Sequence, residues 1–427
     1  MWFMRVVLLA LVVGVAVALG PGQALAQGLK LTWWEHANPP HNAYSKDLVA
    51  EYNQRGHGAS VDYEVFPMTP FFKKLTVAIS TKTAPDMYTV TDFLLPSLVG
   101  KKGVAPLNPQ WLGYQSLEEM KAAYLPGALN GYIYDGKIYA VPVIAQTMSL
   151  YLNRRHFEEA GLDPEKDYPR TWDDLAHVGK KLVKMEGGKI VREGFKFQMI
   201  SSTWTLMQGE PILHQFGADI LDPIGRKCVA NSEAAVRAMR LRASYALEHK
   251  IEDPTVSVAT NPLPANDFAE GKVSMFITHP GSVAQFGPER MKNVKVVPLP
   301  ALDPKKPVTV TYGFALALNP DISPERQKAV HELVRFVAKN PKEWLARVGT
   351  INPFRGLLEI PGVRDHPYID TFVHDVSAAR PMTRSEYYLE IADAMHRAVQ
   401  RIVLNRVDPK RSLDQACQEI DQALGKS

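Results

Sequence analysis

The sequence is poor in cysteine and in excess charge of one sign. Only two cysteines occur among 427 residues, too few to supply by themselves a zinc finger or an iron–sulfur cluster. Lys and Arg number 49 against 45 Asp and Glu, a formal net charge of +4, which is too small on this length of chain to indicate nucleic-acid binding. With 46% apolar and 22% charged residues, the composition is that of a globular protein and excludes disorder, collagen and a disulfide-dense mini-scaffold.

Several motifs of catalysis and metal binding are also missing. The sequence contains no nucleophile elbow, no H-E-x-x-H and no P-loop. Scattered Asp and Glu always permit the paired carboxylates of a glycosidase, so a secreted glycoside-acting enzyme stays open as an alternative. His36 and His41 do not belong to a compact histidine cluster of the kind that favours zinc. We therefore expect no cofactor and no resident metal.

Residues 1–26 have the pattern of a secretory signal peptide. Arg5 supplies the positive start, 6–19 is an unbroken run of apolar residues and Gly, and small residues precede a cleavage point between Ala26 and Gln27. The apolar run is shorter than the roughly 20 residues that span a bilayer, and no cysteine near the junction offers a site for lipid attachment. The sequence therefore predicts a mature protein exported to a bacterial periplasm.

Cys228 and Cys417 would then meet an oxidising compartment. Cys417 lies on an apolar helical stripe with Leu413, Ile420 and Leu424, which is typical of a small buried hydrophobe. A disulfide with Cys228 is the other interpretation, and spacing alone gives no distance between the two. Both remain open at this point.

Short β-rich segments alternate with amphipathic helices, the pattern of α/β layers. Strands are predicted at 29–34, 60–66 and 86–90, and helices at 44–53 and 71–80. Thr171, three residues before Asp174, has the spacing of a capping box. Ser323 followed by a first-turn proline begins another helix. Helices dominate the C-terminal third, where one apolar stripe starts at Tyr388 and another runs through Cys417.

Six phrases, in this order, resemble the carbohydrate-type family of extracellular solute-binding proteins of ABC importers, which includes maltodextrin- and glycerol-phosphate-binding proteins. They are Ala84–Asp86 (A-P-D), Gly136–Pro142 (G-K-I-Y-A-V-P), Leu150–Leu162, Pro169–Leu175 (P-R-T-W-D-D-L), Phe268–Met275 and Val297–Pro300 (V-P-L-P). Each is weak alone, but together they cover nearly the whole mature chain. Two departures are Leu152, where the family usually has Tyr, and Thr278–Gly281, which replaces a segment that often carries Trp.

The resemblance implies an α/β fold of two lobes with a hinged cleft between them and extra C-terminal helices. Lobe one would comprise 27–141 plus 267–310, and lobe two 142–266 plus 311–427. Both cysteines then fall in lobe two, which favours the disulfide. The resemblance also implies a monomer that works with the transmembrane permease subunits of an ABC importer.

The family's function implies a binder, not an enzyme. Lobe closure would capture a sugar, a sugar alcohol or a small oligosaccharide, because closing gains ligand contacts that the open form lacks. Such ligands need flat aromatic faces and a few oriented polar groups. One alternative cargo is glycerol phosphate, for which Arg355 and Arg380 could supply charge. Another is ferric iron, suggested by the adjacent Tyr387 and Tyr388.

Candidate site residues follow the ends of predicted strands, where open α/β sheets place ligands. Trp34, Glu35 and His36 end the first strand, with Glu35 as the expected acceptor for ligand hydroxyls; in an alternating strand only one of Trp33 and Trp34 can face the cleft. The remaining candidates are Asp92, Phe93, Thr203, Trp204, Gly281, Tyr312, Gly313, Arg355 and Tyr387.

Overall fold

The computed structural model describes residues 28–56, 58–125, 128–199, 201–254 and 264–425, so the expected signal peptide at 1–26 lies outside the described residues. The strands are β1 (Leu29–His36), β2 (Ala59–Phe66), β3 (Met87–Thr91), β4 (Ile133–Tyr134), β5 (Lys137–Ile138), β6 (Ala140–Thr147), β7 (Ser149–Asn153), β8 (Lys184–Glu186), β9 (Lys189–Arg192), β10 (Met275–Thr278), β11 (Val294–Val297), β12 (Thr309–Leu318) and β13 (Ala379–Pro381).

The α-helices are α1 (Pro39–Gln54), α2 (Met68–Ser80), α3 (Leu95–Gly100), α4 (Leu117–Ala123), α5 (Arg154–Glu159), α6 (Trp172–Leu182), α7 (Ser202–Gln215), α8 (Glu233–Leu247), α9 (Pro264–Ala269), α10 (Ser282–Met291), α11 (Pro324–Ala338), α12 (Pro341–Glu343), α13 (Ile369–Ser377), α14 (Tyr388–Val403) and α15 (Pro409–Leu424). A π-helical turn, Trp344–Val348, continues α12. None of the helices in the described ranges has both the length and the apolar character needed to cross a bilayer.

The larger sheet has the order β13-β12-β3-β1-β2, with β6 on the other side of β12. β1 runs parallel to β2 and to β3, so the carboxyl ends of these strands meet at one edge. β12 is antiparallel to both β3 and β6. Every residue of β3 is buried, as expected for a central strand covered on both faces.

The smaller sheet has the order β10-β7-β11, with β7 antiparallel to both neighbours. This pairing corrects the expected division of the chain. Segment 267–310 was assigned to lobe one, yet its strands β10 and β11 pair with β7, which lies in the segment assigned to lobe two. Conversely, β12, most of which was assigned to lobe two, pairs with β3 of the larger sheet. Sequence spacing does not reveal such long-range pairing.

Two long strands connect the sheets. β6 ends in the larger sheet at Thr147, and β7 of the smaller sheet begins only two residues later, at Ser149. β12 follows β11 and runs into the larger sheet, where residues 311–317 pair with 140–147 of β6. We call β6 and β12 the crossing strands, because together they carry the chain from one sheet to the other.

Two helix starts predicted from capping signals are present in the structure. Thr171 and Asp174 form the predicted capping box, with reciprocal hydrogen bonds of 3.0 and 2.9 Å, and the Ser323 hydroxyl accepts the Arg326 N–H at 3.3 Å. α1 begins at Pro39, five residues before the predicted start, because proline is tolerated in the first turn of a helix.

The C-terminal helices α14 and α15 pack against each other and against α7 and α8. Cys228, which precedes α8, is joined to Cys417 on α15 by a disulfide with a Cα–Cα distance of 5.1 Å. The backbone N–H of Cys228 also donates to Asp421 at 2.7 Å. The pairing left open above is therefore present, and it fastens the last helix to the rest of the helical body.

Candidate functional site

Side chains from the larger sheet and from the segment before α14 meet beside the crossing strands. Asp92 comes directly after β3, and its carboxylate accepts the N–H of Gly313 at 3.1 Å and the guanidinium of Arg384 at 2.7 Å. Phe93 stacks on Tyr388 with ring centroids 4.4 Å apart and lies 6.4 Å from the ring of Tyr312. We call Asp92, Phe93, Tyr312, Arg384 and Tyr388 the junction cluster. It unites three of the predicted site residues with two from the C-terminal segment.

Gly313 is required for the crossing strands to approach this cluster. A Cβ at this position would lie 2.4 Å from the Tyr132 hydroxyl and 2.6 Å from the Ile144 carbonyl oxygen, distances that no real side chain tolerates. The glycine therefore admits Tyr132 and lets its own N–H reach Asp92. Gly313 was predicted only as a candidate ligand contact, so this close approach is a separate observation.

Burial sets the protonation states around the cluster. It raises the pKa of Tyr312 and of Tyr388, so both phenols stay protonated and able to donate at neutral pH. Burial alone would lower the pKa of Arg384, but the Asp92 carboxylate raises it, and the guanidinium stays charged. Burial also raises the pKa of Glu210 to about 8; its carboxyl accepts the N–H of Thr383 at 2.8 Å and so ties α7 to the segment that carries Arg384.

Three buried polar side chains next to the cluster have no hydrogen-bond partner among the described residues. They are the amide nitrogen of Gln146, the hydroxyl of Thr91 and both ring nitrogens of His36. Gln146 is directly paired with Tyr312 across the crossing strands, Thr91 is paired with Phe314, and the His36 ring lies 4.5 Å from Phe314. Buried polar groups are normally satisfied, and these three are among the exceptions.

A second aromatic surface lies on the helical body. The Trp204 ring is stacked on His279 with centroids 5.6 Å apart and 28° between their planes, and Trp204 is only partly buried. Its neighbour Thr203 lies next to Tyr388, which links this surface to the junction cluster. Gly281 is close by, since a Cβ there would lie 3.0 Å from the His279 ring. Thr203, Trp204 and Gly281 thus lie near one another, and their role in ligand binding stays a prediction.

Glu35 does not have the predicted role. It was expected to accept hydrogen bonds from ligand hydroxyls, but it is fully buried and its oxygens already accept from Asn42, Tyr63 and Thr89, with His41 at 3.2 Å. Burial raises the pKa of this carboxyl. Its partners come from α1, β2 and β3, so Glu35 fastens these elements inside the larger-sheet body.

The tryptophans of β1 are also placed differently. Trp33 is fully buried and donates to Thr89 at 3.1 Å, as expected for the core member of the pair. Trp34 packs at the sheet edge on Phe66, with the Lys74 ammonium 4.5 Å from its ring. The contacts of Trp34 within the described ranges do not include the junction cluster, and of the β1 trio only His36 approaches it.

Three predicted residues at the other end of the chain lie outside the junction cluster. Arg355 is exposed and borders a small pocket with Leu125 and Val376, away from the junction cluster. Arg380 pairs with Asp219 at the surface. Tyr387 is only partly buried at the start of α14, and Tyr388 takes the cluster position instead. The helical period explains this, since one residue along a helix turns the side chain by about 100°.

Gln146, Thr91 and Arg384 were missed by sequence reasoning. Gln146 is a lone polar residue in the otherwise apolar stretch 140–146 of β6, and that contrast is the signal that could have singled it out. Nothing comparable marks Arg384, whose partner Asp92 is almost 300 residues away.

No resident metal is expected from the sequence, and side chains are described in the ranges given above. Within those ranges, no three or more His, Cys, Asp or Glu side chains gather as a metal site requires. Of the paired tyrosines, Tyr388 is packed against Phe93 and Tyr387 is partly buried.

Comparison with known proteins gives a consistent result. The family model described as bacterial extracellular solute-binding protein matches residues 38–343. A Brucella abortus (strain 2308) protein named only as a binding protein is 24% identical over 90% of each chain. The galactooligosaccharide-binding protein of Bacillus subtilis (strain 168) is 22% identical over 92% of this chain and 89% of its own. The sn-glycerol-3-phosphate-binding periplasmic protein UgpB of Brucella abortus (strain 2308) is 27% identical over 42% of each chain.

Solved structures share the fold. An ABC transporter solute-binding protein of Thermotoga lettingae bound with α-D-tagatose superposes with a TM-score of 0.80 at 19% identity, covering 93% of this chain and 100% of the other. Maltose-bound MalE3 of T. maritima gives a TM-score of 0.80 at 20% identity, with coverage of 93% and 100%. A protein of Agrobacterium radiobacter K84 in complex with ribitol gives 0.77 at 22% identity, with coverage of 93% and 99%. The two-lobed binding-protein fold is therefore confirmed.

Proposed function

This chain belongs to the bacterial extracellular solute-binding proteins, and we propose that it captures a sugar, a sugar alcohol or a small oligosaccharide for an ABC importer. The observation that carries the proposal is the meeting of aromatic rings and unpartnered buried polar groups beside the crossing strands. The rings of Phe93, Tyr312 and Tyr388 are buried and pack together there, and Gln146 and Thr91 have buried polar atoms without a hydrogen-bond partner among the described residues.

Polyols and sugars suit this combination. Their C–H faces pack on aromatic rings, and each hydroxyl that leaves water must find a protein partner. Toward ligand hydroxyls, the protonated phenols of Tyr312 and Tyr388 can donate hydrogen bonds and the Asp92 carboxylate can accept them. The Gln146 amide can both donate and accept. A ligand seated here would touch the larger sheet and the helical body at once, so binding would stabilise the closed arrangement.

We propose that the ligand is released unchanged. The carboxylates nearest the cluster, those of Asp92 and Glu210, are held by Arg384 and Thr383, and we assign neither a catalytic role. The relatives matched above are named as binding proteins, which supports the same conclusion.

We also propose that the protein is exported to the periplasm and works with the permease subunits of an importer. The pattern at residues 1–26 supports cleavage after Ala26 and a periplasmic location. A monomer would deliver its ligand to the permease subunits of an importer, since a two-lobed binder presents both lobes to its partner only when closed. Lobe one would then comprise the larger-sheet body and lobe two the smaller sheet with the C-terminal helices.

A phosphorylated polyol is the second candidate cargo. The partial similarity to UgpB supports it, and Arg384 is a partly buried cation in the junction cluster. Its charge is matched by Asp92 at 2.7 Å, however, so a phosphate would have to displace a carboxylate. The neutral ligand is therefore favoured.

A ligand screen tests the proposal. The mature protein would be titrated calorimetrically with D-tagatose, maltose, ribitol, a galactooligosaccharide and sn-glycerol 3-phosphate, with thermal shift as a second readout. We expect saturable binding of a neutral sugar or polyol and recovery of that compound unaltered. Preference for the phosphate would select the second candidate. Conversion of any ligand, or no response to the whole panel, would contradict the proposal.

A further inference from the structure

A second pocket lies in the larger-sheet body and shares no residue with the junction cluster. It has a volume of about 470 Å³ and lies between the segment around Tyr114, helix α11 and residues 352–354. That volume is in the range of small-molecule sites, about 300–1,000 Å³. Its aliphatic walls come from α4, β6 and α11. The pocket is therefore large enough and apolar enough to hold a small organic molecule.

The charged side chains that line this pocket are all positive. Arg335 and Lys339, at the C-terminal end of α11, stand at its mouth and are exposed, and no Asp or Glu is among the lining residues. Burial raises the pKa of Tyr114 and of Tyr124, so both phenols are neutral at physiological pH and do not offset the positive charge. The mouth of the pocket therefore favours an anion.

A polar side chain in the wall of the pocket lacks a partner. Asn352 is only 2% exposed, and its side-chain amide nitrogen has no hydrogen-bond partner among the described residues. The backbone on both sides is fixed, because the carbonyl of Ile351 accepts from Ala145 at 2.7 Å and that of Pro353 accepts from Leu125 at 2.8 Å. A buried amide donor without a partner destabilises the protein unless a ligand supplies an acceptor, and the fixed backbone keeps Asn352 in this position.

Aromatic rings complete the lining. Tyr124 meets Phe354 edge to face, with centroids 6.5 Å apart and planes at 82°, and Phe354 is 37% exposed at the rim. An open aromatic edge beside an apolar cavity is a surface on which a flat ring packs favourably. The shape of the pocket, its positive charge and the unpartnered Asn352 amide all favour an anionic ligand with a flat apolar body.

We propose that this second pocket binds a small organic anion with a flat apolar body, of which an aromatic carboxylate is the simplest. Its carboxylate lies at Arg335 and Lys339, its ring packs among Tyr114, Tyr124 and Phe354, and an oxygen accepts from Asn352. The proposal is independent of the ligand of the junction cluster.

Calorimetric titration of the mature protein with 4-hydroxybenzoate and benzoate tests this site. We expect one equivalent to bind, at least tenfold weaker affinity in the double variant Arg335→Gln/Lys339→Gln, and no binding in Ala338→Trp, which fills the pocket from α11. Lys328→Gln removes an exposed charge from the same helix outside the pocket and serves as the matched control with unchanged affinity. Responses to the sugar and polyol panel should be the same in all variants.

Two results would overturn the proposal. One is the absence of binding by both carboxylates to the wild-type protein. The other is equal affinity in the double variant and the Lys328→Gln control, which would place the anion elsewhere. If Ala338→Trp does not fold, the Arg335→Gln/Lys339→Gln variant still tests the proposal, because both of its substitutions are at exposed positions. A thermal melt of each variant checks folding.

Discussion

Removing the ion pair of the junction cluster should weaken ligand binding through the closing equilibrium. Asp92 belongs to the larger sheet, and Arg384 precedes α14 of the helical body. Their side chains are 4% and 22% exposed and are joined at 2.7 Å. A hydrogen bond between charged groups with this little exposure contributes about 1.5–3 kcal/mol, which corresponds to roughly 10- to 150-fold in affinity if the pair forms only on closure.

The assay is a double-mutant cycle on the affinity for whichever panel ligand binds. Asp92→Ala, Arg384→Ala and the double variant would be titrated beside wild type, and the coupling energy should fall in the range above. Arg380→Ala is the matched control, since this arginine on the same segment pairs with Asp219 while 48% exposed, and such surface pairs contribute at most about 1 kcal/mol. A coupling energy near zero, or equal losses for Arg384→Ala and Arg380→Ala, would refute the reasoning.

Three further perturbations have defined outcomes. Gln146→Leu should weaken ligand binding by up to about tenfold without lowering the melting temperature of the free protein, whereas Thr147→Val, whose hydroxyl faces Thr309 instead, should leave calorimetric affinity unchanged. Burial lowers the pKa of His36 from 6.5 to about 4, so stability is complete above pH 6.5 and is lost as the pH falls towards 4, by about 3 kcal/mol. Urea titrations at several pH values should show a smaller loss of unfolding free energy between pH 6.5 and 4 in His36→Phe than in wild type. An equal loss in the two proteins would contradict the low pKa of His36. The raised pKa of Glu35 changes stability with pH in the opposite direction, and it does so in both proteins. Cys417→Ser opens a crosslink between residues 189 apart and should cost about 2–5 kcal/mol of unfolding free energy, while an unchanged denaturation midpoint would show that the disulfide does not constrain the unfolded chain.

Local features of this fold could be predicted from the sequence because their causes are local. The β1 strand, the Thr171 capping box and the α14 stripe each depend on residues a few positions apart, and all three are present. Asp92 and Phe93 could be singled out as candidates because they follow a strand, and strand ends gather at one edge of a sheet.

Features that depend on distant partners could not be predicted in this way. Glu35 has the sequence signature of a strand-end ligand group, yet donors from positions 42, 63 and 89 surround it, and none of these is visible from residue 35. The assignment of 267–310 failed for the same reason, since nothing local shows that β10 and β11 pair with β7.

The central claim is that two bodies close around a small guest and leave it unaltered. Spin labels at Lys46→Cys on α1 and Arg237→Cys on α8, both exposed, would report the distance between the bodies with and without the panel ligand that binds. The account predicts that saturation with this ligand shifts the distance distribution to shorter values and that the ligand is recovered intact. A distribution that does not change at saturation, or a chemically altered ligand, would contradict it.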